Sequence, residues 1–140
     1  MSFEIYDRRT VLRLGTATMA TLSTAGCLGG QSSSAQTVTM PGDLTFDPKT
    51  ATSKPGESVT WTNESDIEHT VTAYEDEIPD AAAYFASGGF ESERAARNRI
   101  TEGLIAPGES YEHTFDQPGT YGYFCIPHEG SEMVGTVRVR

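Results

Sequence analysis

The chain has 140 residues and a mass of 15.1 kDa, room for one domain and too little for a large multidomain enzyme. Ten Lys and Arg residues against 20 Asp and Glu residues give a net charge of −10, which argues against nucleic-acid binding, since neutralising phosphates requires a basic surface. A hydrophobic content of 36% suffices for one small core.

Residues 1–26 read as an export signal. Arg8 and Arg9 form a twin-arginine pair ahead of a weakly apolar stretch, 14–26, that ends at Cys27. Thirteen residues, five of them Ser or Thr, are too few and too polar to span about 30 Å of hydrocarbon, but they suit the apolar region of a signal for the twin-arginine route. Thr24-Ala25-Gly26-Cys27 resembles a lipobox, so Cys27 is the expected lipidation site, and the Gly- and Ser-rich residues 27–36 are the expected flexible, lipid-anchored tether. Loss of residues 1–26 would remove three arginines and two acids and take the net charge from −10 to −11. Such an acidic surface is equally a high-salt adaptation or a face for a basic partner.

From residue 37 the chain reads as short strands: 37–40, 44–46, 58–62, 70–74, 110–115, 120–125 and 134–139. Period-two pairs such as Val59 and Trp61, or Val137 and Val139, imply sheets with one buried face. Pro-Gly dipeptides at 41–42, 55–56, 107–108 and 118–119 separate the strands, and the phrase Pro-Gly-Glu-Ser introduces two of them, at 55–58 and 107–110. The fold class is therefore all-β, a Greek-key β-sandwich over 37–140. One insertion, around 80–100, favours helix, with Asp80 as an N-cap, Gly88-Gly89 as a stop and Ser92 opening a second turn, the whole forming a surface excursion packed by Tyr84, Phe85 and Phe90.

An exported protein sits where disulfides form, yet the body holds one cysteine, Cys125. Cys125, His128 and Met133 spell C-x2-H-x4-M on one tight loop between strands, and His69 opens another strand 56 residues upstream. In a sandwich the two places can meet at one end. A thiolate, two imidazoles and a thioether are the mixed set of a blue-copper site, whereas hard cations take carboxylates and structural zinc takes further Cys or His. His113, mid-strand in Tyr111-Glu-His-Thr-Phe115, competes with His69 but would point at a face, which suits packing.

The segments Val59-Thr-Trp-Thr-Asn63, His69-Thr-Val71, Glu75-Asp-Glu-Ile-Pro79, Pro118-Gly-Thr-Tyr-Gly-Tyr-Phe-Cys125-Ile-Pro-His128 and Met133-Val-Gly135 resemble a cupredoxin of the plastocyanin type. With its lipobox, acidic body and helical insertion the chain is similar to the halocyanins, membrane-attached copper proteins of halophilic archaea. The resemblance implies one copper ion held by His69, Cys125, His128 and Met133, with Asn63 and Thr70 supporting the ligands. Thr70 stands where plastocyanins usually carry an Asn that ties two ligand loops, and a Thr hydroxyl could make that bond. Phe124 stands where plant proteins use a Tyr for docking. The electron is expected to leave by the edge of His128 beside Pro127, with Glu75, Asp76 and Glu77 as a possible patch for a basic partner.

The expected function is one-electron transfer by a monomer tethered to the outer face of the cell membrane, between a membrane donor complex and an acceptor such as a terminal oxidase. Copper delivery or storage is the alternative. No enzyme is expected, since redox enzymes add copper centres with further histidines, and only one is left over here.

Overall fold

The computed structural model describes residues 36–140, so the export signal, Cys27 and nearly all of the tether lie outside the described residues. Seven strands form two sheets. The first has the order β1 (Gln36–Met40), β3 (Glu57–Asn63), β5 (Ser110–Phe115); the second runs β2 (Thr50–Ser53), β7 (Val134–Val139), β6 (Gly119–Phe124), β4 (Thr72–Ala73). β1 lies parallel to β3 and β2 parallel to β7, while the β3–β5, β4–β6 and β6–β7 pairs are antiparallel. This is the expected all-β sandwich.

β3 shows why the sheets close on each other. Val59, Trp61 and Asn63 point inward and are buried, while Ser58, Thr60 and Thr62 alternate outward. On the outer face Ser58 and Thr62 pair with Thr114 and Ser110 of β5 at 2.7 and 3.0 Å. Inside, Trp61 stacks on Tyr111 and meets Tyr123 of the opposite sheet edge-on, at centroid distances of 5.6 and 5.3 Å. Buried aromatics remove about 150–250 Å² each from water, so this cluster dominates the apolar gain on folding. The repeated Pro-Gly-Glu-Ser phrase makes the same turn twice: Gly56 and Gly108 adopt φ of 90° and 84°, a region that strains any residue with a Cβ.

Three expectations about the elements change. Residues 44–46 form no strand, because Leu44 has a φ of 61° and breaks the extended run, although Phe46 is buried and packs edge-on against Tyr123. Thr50–Ser53 is a strand that the sequence hid, since it carries no large apolar residue. The insertion is helical only at α1, Glu93–Asn98, with a 3-10 turn at Ile100–Gly103.

Asp80 caps no helix. Residues 80–92 instead run beside the sheet, where Ala73 N–H donates to the Phe85 carbonyl (3.1 Å) and Ser87 N–H to the Val71 carbonyl (2.7 Å). Helix propensity at the alanines loses to these backbone bonds and to the burial of Phe85. Ser92 does cap α1, accepting from Ala95 N–H at 3.1 Å.

Phe85 is therefore core and not surface packing. Its ring stacks on Trp61 and His113 and meets Phe115 edge-on. Phe85→Ala should cost about 3–5 kcal/mol, read from urea unfolding of the domain; a cost under about 1 kcal/mol would return the segment to the surface.

Candidate metal centre

β6 ends at Phe124, and Cys125 follows at the sandwich end. Its neighbours pull the chain into a closed loop. Cys125 N–H donates to the Met133 carbonyl at 3.0 Å, and His128 N–H donates to the Cys125 carbonyl at 3.1 Å. Between them Ile126–Ser131 form a kinked 3-10 turn, and Glu132 reverses the chain with a φ of 63°. On the other side, His69 is strapped to Ile105 by two backbone hydrogen bonds of 3.2 and 2.7 Å.

The two segments meet. His69, Cys125 and His128 offer ligand atoms that all lie within 4.8 Å of one another. The sulfur is 3.7 Å from His69 Nδ1 and 3.2 Å from His128 Nδ1. His69, Cys125 and Met133 are wholly buried in the apolar core, while His128 is partly exposed. No carboxylate belongs to this cluster, so the donors suit a soft or borderline metal such as copper and not calcium or magnesium.

A layer of hydrogen bonds aims the donors. Ser65 Oγ lies 2.9 Å from His69 Nε2 and 2.7 Å from Asn63 Oδ1, to which it donates. Ser65 thereby accepts the Nε2 proton of His69 and leaves the Nδ1 lone pair facing the sulfur. Asn63 is anchored in turn by donating to the carbonyls of Ile67 and Ile105, at 2.7 and 2.9 Å. Thr70 links the loops: its amide donates to Cys125 Sγ at 3.3 Å, and its hydroxyl accepts from Ile126 N–H at 2.8 Å. The threonine hydroxyl thus bonds across from one loop to the other.

Burial dominates the electrostatics. It pushes the Cys125 thiol up, against the pull of the Thr70 and His128 amides. It holds His69 below 6.5, with His128 adding like-charge repulsion. A dry thiol beside two imidazoles is a site in which a bound cation would compensate a thiolate.

The remaining candidates are scattered. Pro127 is exposed beside His128. Glu75, Asp76 and Glu77 form an exposed 3-10 turn, with Glu75 Oε1 accepting from Glu93 N–H at 2.9 Å. His113 stays outside the cluster and stacks on Phe85 at 4.8 Å, as its mid-strand position suggested. Ser65 was missed, because a serine in an Asn-Glu-Ser-Asp turn carries the composition of any loop.

Comparison with known proteins gives a consistent placement. The profile "Copper binding proteins, plastocyanin/azurin family" matches residues 33–140. The chain belongs to that family. It is 42% identical to a plastocyanin of Scenedesmus fuscus over 99 residues, covering 71% of this chain and 90% of the relative. Against a chloroplastic plastocyanin of Oryza sativa subsp. indica identity is 36% over 128 residues, 89% of this chain and 75% of the relative. A purple cupredoxin from Nitrosopumilus maritimus superimposes with a TM-score of 0.56 at 21% identity, covering 75% of this chain and 99% of its own. A mutant fern plastocyanin gives a TM-score of 0.53 at 23% identity, covering 74% of this chain and 99% of its own. These two support the fold. With the family, the donor cluster identifies the cofactor as one type 1 copper ion.

Ser65→Ala should weaken copper binding about 10–100-fold in chelator competition, with Ser65→Thr close to the parent. His113 offers a separate test on copper-loaded protein, in which the cluster histidines are held. Burial keeps its folded pKa below 6.5, so the unfolded chain takes up a proton first as pH falls. Its neutral form is fully accommodated above that value, and stability declines below it. In His113→Phe the urea midpoints at about pH 7.5 and about pH 5.5 should lie closer together than in the parent.

Proposed function

We propose that this domain is a blue-copper one-electron carrier in which His69 Nδ1, Cys125 Sγ, His128 Nδ1 and the Met133 thioether would hold the ion. The convergence of a thiol and two imidazoles within 4.8 Å, in a family that binds copper, carries the reading. A bound copper ion supplies a Cu(I)/Cu(II) couple at a mixed sulfur and nitrogen set. The chain's part is positional. Asn63 and Ser65 orient the buried imidazole, Thr70 ties the two loops, and the core excludes water, so the donors need little rearrangement when the ion's charge changes.

His128 is the port in this reading. It is the cluster member that reaches solvent, and the partly buried Ile126 and exposed Pro127 that precede it in the chain give it an apolar border. A small apolar rim favours weak, brief docking, as a carrier requires. The acidic turn Glu75–Glu77 is a second contact area for a basic partner.

The wider setting is halocyanin-like and rests on the sequence. Twin-arginine export, lipidation of Cys27 and a tether through residue 36 place a monomer on the outer face of the cell membrane. Its donor is a membrane complex and its acceptor a terminal oxidase or similar. No helix among the described residues is long and apolar enough to cross a membrane; the attachment in this scheme is the lipid on Cys27.

Copper-loaded protein should absorb intensely in the visible when oxidised and bleach reversibly with a reductant. Cys125→Ser should abolish the colour while leaving the fold intact by circular dichroism. A colourless copper adduct of the parent would refute the assignment.

A further inference from the structure

The helical insertion makes contacts that the carrier reading leaves unused. Arg97 of α1 donates through Nη1 and Nη2 to Glu129 Oε1 and Oε2, at 2.9 and 3.3 Å. Its Nε donates to Glu93 Oε2 at 2.9 Å. The guanidinium also lies 4.4 Å from the centre of the Phe124 ring. Tyr74 stacks on the same ring at 4.2 Å and donates its hydroxyl to Glu129 Oε2 at 2.8 Å. Glu93 is fixed in turn, because its amide and that of Glu75 donate to each other's carboxylates at 2.9 and 3.0 Å.

The chain positions of the partners matter. Glu129 follows His128 by one peptide, and Phe124 precedes Cys125 by one peptide. Phe124 is fully buried although it ends its strand, where it pairs with Thr72 on one side and Val134 on the other, and it is covered by Tyr74 and Arg97. A half-exposed ion pair alone would contribute little. Here a two-pronged guanidinium–carboxylate pair, a cation–π contact and a second carboxylate, Glu93, combine into one geometry, which specifies position better than it adds stability.

We propose that Arg97 is a positioning residue of the copper centre: through Glu129 it clamps the turn that carries His128, and with Tyr74 it seals the flank at Phe124. This rests on His128 being a ligand and the port. The clamp has two consequences. Arg97 offsets the negative charge of Glu129, the residue after His128, which disfavours the more positive oxidation state. It also restrains the irregular turn Ile126–Ser131, so less rearrangement accompanies electron transfer.

The experiment measures midpoint potential and electron self-exchange rate on the copper-loaded full chain. Arg97→Ala should lower the potential and slow self-exchange several-fold. Glu129→Gln should raise the potential. Arg97→Lys, which keeps the charge and loses the two-pronged fit, should hold the parent potential but remain slow. The double variant Arg97→Ala, Glu129→Gln should depart from the sum of the single shifts, because the two residues act as one unit.

Potentials and rates equal to the parent in folded single variants, even with lower melting temperatures, would overturn the clamp and leave a structural ion pair. Should Arg97→Ala fail to fold, the sign of the Glu129→Gln shift decides. A parent without intense visible absorption removes the carrier reading and the clamp with it; an intensely coloured parent with unresponsive variants removes the clamp alone.

Discussion

Everything at the sandwich end follows from holding a thiol and two imidazoles together in a dry place. Polar groups in an apolar core are costly unless each has a partner. The fold meets the condition with short-range devices: a backbone bond from Cys125 to Met133, an amide from Thr70 onto the sulfur, and a serine hydroxyl against the buried imidazole. Each leaves one donor atom facing the others. The arrangement is therefore specified by the chain's own hydrogen bonds.

Rigidity of the sheets carries this specification outward. Trp61, Phe85, Phe115, Tyr121 and Tyr123 form a continuous aromatic layer, and Tyr123 is two residues from Cys125. Interiors packed at this density move as units, so the loop ends inherit the stiffness of the strands. The donors come from segments far apart in sequence, and β3 contributes to their alignment through Asn63, its last residue. Ser65, Ile105 and Cys125, from three separate segments, thus converge on His69.

How far the sequence revealed this depended on the range of each interaction. Cys125, His128 and Met133 share one loop, and their spacing alone was informative. β5 and β7 were readable because their alternation and flanking turns are local. β2 was not, since Thr50–Ser53 take their strand character from pairing with β7 and not from apolar side chains. The alanines after Asp80 misled for the converse reason: their local preference yields to backbone bonds with Val71 and Ala73. Ser65 and the Arg97–Glu129 pair escaped notice because their meaning exists only after folding, the latter spanning 32 positions.

The parallel pairing of β1 with β3 fixes where the described chain begins. Met40 sits opposite Asn63 at the metal-centre end, so Gln36, opposite Val59, lies toward the other pole. The register thus leaves the first residue of β1 on the side turned away from the imidazole edge, and the buried histidine is reached only from the opposite end of the sheet.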